Sequence, residues 1–298
     1  MLSLKQLLCV VLCVSSANVL ATVRVVDFDL DANLNRIQNG QVIDDEYADW
    51  GILISSCNTN GVAAAGTDRV TGVCNDDPNA ANPDYSNRQA AFNTQANNTQ
   101  DPDLEFDKIN GSWVGSISGD EYDQLTDYKS YYADIKAQAG TGGGLWSRPG
   151  NALILNEQPC NATSCTNPDD EGTRPGGFFV FDFTDGPVDI LNLDFFDVEG
   201  VERTDTTSPQ NLIYFFYADG TPGSTQVLAP GNNEYARKDF VSTELASLYT
   251  NVTKLVVNLP GSGAINNLIV KATEVPEPAG IALFLSAGVI LLRRRKSK

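Results

Sequence analysis

The chain consists of short apolar or alternating segments separated by clusters of Gly, Pro, Asn and Asp. Such segments are typical of β-strands, and the clusters between them are typical of turns. The segments Phe178–Phe181 and Leu212–Tyr217 are apolar on both faces, as expected of the covered central strands of a sandwich. The pattern predicts strands at Val23–Leu30, Gly51–Ser55, Ala152–Leu155, Gly177–Phe183, Val188–Phe196, Leu212–Tyr217, Leu255–Leu259 and Asn267–Ala272.

One segment has a helical period instead. Within Gly119–Gly140, the residues Tyr122, Leu125, Tyr128 and Tyr132 recur at three- and four-residue spacing, which predicts an amphipathic helix. The rest of the chain lacks the regular strand–helix alternation of a parallel α/β sheet. We therefore predict an all-β domain over residues 22–274, an antiparallel, jelly-roll-like β-sandwich with one short helical insertion.

The N-terminal residues 1–21 have the order of a secretory signal peptide. Lys5 precedes an apolar run from Leu7 to Val14, and small residues lead up to Ala21. We expect cleavage after Ala21 and a mature chain that begins at Thr22.

The C-terminal residues 275–298 combine three features in a fixed order. A Pro-Glu-Pro motif precedes the uncharged segment 279–292, and a basic cluster follows that segment. A helix over 279–292 would be roughly 21 Å long, short for a hydrocarbon core of about 30 Å. The basic cluster would stay on the cytoplasmic side. We predict a single transmembrane helix here; an ordinary tail anchor is the alternative.

This C-terminal combination resembles the PEP-CTERM sorting signal of exported proteins in Gram-negative bacteria. The resemblance implies export through the Sec translocon, transient anchoring in the inner membrane, and cleavage by an exosortase. The protein would then reach the cell surface or the extracellular space. The residues that match the sorting motif are Pro276, Glu277, Pro278, Arg293, Arg294 and Arg295.

A second resemblance covers most of the middle of the chain. A series of short blocks is similar to a β-sandwich module found in PEP-CTERM and related secreted proteins. That likeness implies an extracellular interaction domain without a catalytic assignment. The blocks are Ile43–Gly51, Asp101–Phe106, Asn151–Glu157, Pro168–Glu171, Gly176–Phe183, Asp197–Glu199 and Gly261–Asn267.

Export gives the cysteines a role, because secreted proteins form disulfides. Cys57, Cys74, Cys160 and Cys165 remain after signal cleavage, and four cysteines allow three pairings. The local pairing, Cys57–Cys74 with Cys160–Cys165, would close two loops. A zinc ion held by four thiolates is the alternative, although no two of these cysteines lie two residues apart and the compartment is oxidising.

Composition excludes several kinds of chemistry. The chain has no His, which rules out Ser-His-Asp triads, Cys-His dyads and His-ligated metals. Between positions 22 and 278, 14 basic residues stand against 38 acidic ones, a balance of −24. This charge argues against nucleic acid as a partner.

Three short blocks of acidic residues stand out in the sequence, and calcium is the cofactor that they suggest. Calcium takes six to eight oxygen ligands, and sandwich loops can supply them, although no EF-hand spacing is present. Asp101, Asp103 and Glu105 alternate, so in an extended segment they would point the same way. A solvated acidic surface is the alternative. The candidate ligands are Asp101, Asp103, Glu105, Asp169, Asp170, Glu171, Asp197 and Glu199.

Two tryptophans are candidates for sugar binding. Trp113 and Trp146 lie in surroundings rich in Gly and Ser, where an indole ring can stack on a pyranose face. The alternative is that they close one end of the sandwich.

We therefore predict an exported, exosortase-processed surface or matrix protein with a non-catalytic β-sandwich. Its expected partner is extracellular polysaccharide or another envelope component. The alternative function is a secreted carbohydrate-active enzyme, a glycoside hydrolase or lyase. A carboxylate pair could serve such chemistry, but with 38 acidic residues some pair will meet the required distance by chance.

Overall fold

The computed structural model describes about half of the chain, all of it within or next to the compact unit Val23–Ala272. The described residues are 23–58, 88–94, 96, 99, 101, 104–105, 150–156, 158, 160–170, 177–198, 212–226, 235–240, 249–259 and 262–273.

These residues form an all-β fold in which every strand pairing is antiparallel, as predicted. The strands are β1 Val23–Val26, β2 Ile52–Asn58, β3 Arg88–Asn93, β4 Asn151–Asn156, β5 Gly177–Phe183, β6 Val188–Phe196, β7 Leu212–Tyr217, β8 Pro222–Gln226, β9 Tyr235–Asp239, β10 Val252–Leu259 and β11 Ala264–Ala272. A short 3-10 turn, Ala48–Trp50, precedes β2. The predicted helix within 119–140 lies outside the described residues.

The strands fall into two groups. The first group has the order β8–β7–β10–β5–β2. The second has the order β9–β6–β11–β4–β3. Strand β1 pairs with β11 on the edge that β4 also uses, but farther along β11, at Leu268–Lys271. The pairing of Val252 with Val188 joins β10 to β6 and so connects the two groups.

A path β2–β5–β10–β6–β11–β4–β3 runs through both groups, and side chains bring its two ends, β2 and β3, together. The amide nitrogen of Gln89 on β3 donates to the carbonyl oxygen of Ile54 on β2 at 3.0 Å. The amide oxygen of Gln89 accepts from the Ser56 hydroxyl at 2.8 Å. The sheet is therefore nearly closed around its core.

The main core combines buried side chains from both strand groups. Strand β5 shows the arrangement clearly, because Phe179 and Phe181 face the main core while Phe178 and Val180 belong to a second buried cluster. The prediction that this strand is covered on both faces is confirmed. Burying each such side chain stabilises the fold by about 1.5–3 kcal/mol.

In the described part of the chain, no helix is long and apolar enough to cross a membrane. The predicted signal peptide 1–21, the transmembrane helix 279–292 and the sorting motif lie outside that part.

Candidate metal site

The structure brings together acidic residues that are far apart in the sequence. Five of the eight predicted calcium ligands are described, and all five are buried. They are Asp101, Glu105, Asp169, Asp170 and Asp197. The other candidates, Asp103, Glu171 and Glu199, lie outside the described residues, as do Trp113, Trp146 and Cys74.

Three carboxylates form the centre of the site. Asp101, Asp169 and Asp170 each offer an oxygen, and these oxygens all lie within 4.8 Å of one another. The residues are only 0%, 7% and 2% exposed. Because buried like charges repel strongly, such a group needs protons or a cation to be stable.

Two amide side chains position Asp169: Asn156, the last residue of β4, and Gln158, which follows that strand. Its backbone N–H donates to the side-chain oxygen of Asn156 at 3.0 Å. Its carboxylate Oδ2 accepts from the Gln158 amide at 2.9 Å. Asp169 is thereby fixed next to the end of β4.

One oxygen of Asp170 is held by the backbone. Its Oδ2 accepts from the backbone N–H of Gly263 at 2.6 Å. Its Oδ1 is buried and accepts no hydrogen bond from the described part of the chain. A carboxylate oxygen in this state is a suitable ligand for a cation, because a buried polar atom without a partner is costly.

Gly263 allows this close contact. Its φ is +147°, and an added Cβ would lie 2.9 Å from Cγ2 of Val198. Any other residue would be strained in its backbone and would also displace Val198.

Asp101 precedes a turn of the chain. The chain turns at Leu104–Glu105, and Asp103, which lies between Asp101 and this turn, is outside the described residues. The backbone N–H of Leu104 donates to Asp101 Oδ1 at 3.3 Å, closing the turn. The Glu105 carboxylate accepts from the N–H of Thr99 at 2.6 Å, so both acidic residues are held within one loop.

Asp197 lies directly after β6 with a φ of +49°. Its Oδ2 accepts from the Ser262 hydroxyl at 3.4 Å, next to the Gly263 that binds Asp170.

Burial raises the pKa of Asp170 well above its ordinary value, and the carboxylate of Asp101 raises it further. The N–H of Gly263 opposes this shift, and the charge of Asp197 adds to it.

The spacing of the three carboxylates suits one calcium ion. Oxygens on opposite sides of a calcium are roughly 5 Å apart, since each lies about 2.3–2.6 Å from the ion. The three oxygens within 4.8 Å can therefore share one ion.

A second acidic group, Asp44–Asp45–Glu46, was not predicted as a metal site and is less suited to one. Asp44 and Asp45 are exposed, and the Glu46 carboxylate accepts from the Gln41 amide and from the N–H of Asp44. Such bonds are those of an ordinary acidic turn.

The cysteines are oxidised where they are described. Cys160 and Cys165 form a disulfide, as the local pairing predicts, and Cys57 is also disulfide-bonded. Disulfide bonds at three of the four cysteines exclude the four-thiolate zinc alternative.

Comparisons with known proteins assign no family. No family model matches the chain, and no curated protein matches it. Among solved structures, a mutant of a family 29 carbohydrate-binding module is 17% identical, with a TM-score of 0.24, and the match covers 44% of this chain and 80% of that one. A likeness at that TM-score assigns neither a ligand nor a detailed fold to this chain.

Proposed function

We propose that the chain is an exported, exosortase-processed surface or matrix protein. Its non-catalytic β-sandwich is stabilised by a calcium ion and interacts with extracellular polysaccharide. The observation that carries the calcium part of this proposal is the buried group of Asp101, Asp169 and Asp170 carboxylates.

Burial favours a structural role for these acids over a catalytic one. A glycoside hydrolase needs two carboxyl groups that reach the scissile bond of a bound sugar. Asp101 and Asp170 are almost fully buried, and their surroundings are backbone N–H groups and other side chains of the protein. A cation held there would tie loops together and leave recognition to other surfaces.

Disulfides and the terminal sequences support export. The Cys160–Cys165 bond is of the kind that persists in oxidising compartments. The motif Pro276–Pro278 and the cluster Arg293–Arg295 would serve as the sorting signal.

Thermal unfolding of the purified full chain tests the calcium ion. We expect the Tm to rise by several degrees in millimolar calcium, because a ligand that binds only the folded state stabilises it. Asp170→Asn should remove the rise, whereas the exposed Asp44→Asn should keep it. Identical melting curves with calcium and with chelator would refute the calcium site.

Binding and turnover are separated by two assays on the same protein. A glycan array should show retention of one or more polysaccharides, and a reducing-sugar assay should show no new chain ends. New reducing ends would favour the carbohydrate-active enzyme instead.

Processing is tested by the intact mass of the exported form. We expect a chain that ends near the Pro-Glu-Pro motif. A mature form that still ends in Ser297-Lys298 would contradict exosortase cleavage.

A further inference from the structure

Asn156 connects the Cys160–Cys165 disulfide to the acidic site. It is fully buried at the end of β4. Its side-chain nitrogen donates to Sγ of Cys160 at 3.0 Å and to the carbonyl oxygen of Gln158 at 2.7 Å. Its side-chain oxygen accepts from the backbone N–H of Asp169 at 3.0 Å. One amide group therefore contacts both a disulfide sulfur and a candidate calcium ligand.

The other half of the disulfide reaches the site by a different route. Cys165 is buried in a cluster that also contains Phe92 and Leu104. Leu104 is the residue whose N–H closes the Asp101 turn. In addition, the N–H of Cys165 donates to the Gly40 carbonyl at 2.6 Å, which fixes this end of the loop.

The disulfide loop is therefore placed between two ligand-bearing segments. Cys160 contacts Asn156, whose side-chain oxygen holds the backbone N–H of Asp169. Cys165 belongs to the same buried cluster as Leu104, whose N–H binds Asp101. Asn156 and Leu104 thus connect the loop 160–165 with Asp169 and Asp101.

We infer that calcium binding and the Cys160–Cys165 disulfide are linked. The oxidised chain binds calcium more tightly than the chain that lacks this bond, and bound calcium makes the bond harder to reduce. The two effects must be equal in free energy, because linkage is reciprocal. This inference rests on the proposed calcium site.

The physical cause is the cost of ordering the ligands. Without the disulfide, the loop 160–165 loses its covalent closure and Asn156 loses its contact with the bridged sulfur. Asp169 and Asp170 must then be ordered when calcium binds, which reduces its affinity. We expect a change of about tenfold in Kd, within the usual range for coupled sites.

With this linkage, tight calcium binding would indicate that the Cys160–Cys165 disulfide has formed. A chain with reduced thiols would hold calcium weakly, and formation of the disulfide would complete the site.

Calorimetric titration with calcium tests the first half of the linkage. The double variant Cys160→Ala/Cys165→Ala should bind calcium about tenfold more weakly than the oxidised wild-type full chain. The matched control is Cys57→Ala/Cys74→Ala, which removes the other predicted disulfide and should change Kd by less than about twofold. An equal loss in both double variants would overturn the inference, because it would show general destabilisation.

Redox titration of the wild-type chain tests the second half without any variant. Dithiothreitol breaks the S–S bond, two thiols form, and the dithiothreitol is oxidised to its cyclic disulfide. Alkylation and mass spectrometry of Cys160 report the reduced fraction. A tenfold linkage should make the midpoint potential about 30 mV more negative in saturating calcium, and Asp170→Asn should abolish the shift.

The outcomes separate this inference from the proposed function. Equal calcium affinities with no shift in potential would overturn the linkage and leave the calcium site intact. Failure of the oxidised wild-type chain to bind calcium would overturn the site and the linkage together. Weaker binding in the Cys160/Cys165 variant alone, with a shifted potential, would support both.

Discussion

At Asp170, burial and neighbouring charge act in the same direction. Both raise the pKa of its carboxyl group, so the protonated form is favoured more in the folded protein than in the unfolded chain. The unfolded chain has an ordinary pKa of about 3.9. A raised pKa in the folded state stabilises the fold below the unfolded pKa, and that stabilisation is lost as pH rises through the folded value.

The pH dependence of stability follows from this sign. In chelator, we expect the Asp170 contribution to the free energy of unfolding to decrease as pH rises from about 4 toward neutrality. Calcium should remove the decrease, because the ion replaces the proton. Urea unfolding at a series of pH values measures both. In Asp170→Asn the decrease should be smaller, and an unchanged slope in that variant would contradict the assignment to Asp170.

Gly263 is a second residue whose substitution tests the site. Gly263→Ala should lower stability by about 1–3 kcal/mol, because it combines a disfavoured φ with a contact at 2.9 Å to Val198. It should also weaken calcium binding, since the Gly263 N–H holds Asp170. Gly186→Ala is the matched control, with a φ of +134° and no atom within 4 Å of the added Cβ. Equal effects of both variants on calcium affinity would contradict the role of Gly263.

The acidic residues of the candidate site could be singled out from the sequence, but the groups that hold them could not. Asp101, Asp169 and Asp170 lie in acidic blocks, and the structure brings them together. Asn156 and Gly263 contribute through one side-chain amide and one backbone N–H. Such groups occur throughout the chain, so only the fold shows which of them face the site.

Among the elements, apolar strands were the predictable ones. The sequence predicts Gly177–Phe183, Val188–Phe196 and Leu212–Tyr217 with the bounds that the structure has. These are β5, β6 and β7, and most of their side chains are buried, so the apolar pattern marks them clearly.

Three strands were not predicted because their stability comes from pairing with neighbours. Strand β8 reads Pro-Gly-Ser-Thr-Gln and pairs with β7 at the outer edge of its group. Strand β9, with Arg237 and Lys238, pairs with β6 at another edge. Strand β3 has Ala90 and Ala91 at its centre, and small side chains give a weak strand signal.

The two hydrogen bonds that Gln89 makes with Ile54 and Ser56 form a seam between β2 and β3. Gln89→Ala removes two hydrogen bonds and leaves the Ile54 carbonyl without this donor. We expect a loss of about 1–3 kcal/mol in unfolding free energy, because unsatisfied buried groups are costly. Denaturant unfolding measures the loss. The exposed Gln38→Ala should change stability by less than about 0.5 kcal/mol, and an equal loss in both variants would contradict the role of the seam.

For the whole molecule, net charge gives a rival explanation of any calcium effect. The chain carries −18 at pH 7, and any salt would screen the repulsion among its carboxylates. A specific site must therefore be separated from general screening.

Magnesium provides that separation. It requires near-octahedral geometry at about 2.0–2.1 Å and keeps several waters, which a buried group of carboxylates accommodates poorly. At equal concentration and ionic strength, we expect magnesium to raise the Tm much less than calcium does. Differential scanning calorimetry measures both shifts, and equal shifts would favour screening over a specific site.

The most direct test of the calcium site is a crystal structure of the calcium-loaded protein with anomalous diffraction data. We predict an anomalous peak about 2.3–2.6 Å from carboxylate oxygens of Asp101, Asp169 and Asp170. No peak there, or a peak only at the exposed Asp44–Glu46 turn, would contradict the account.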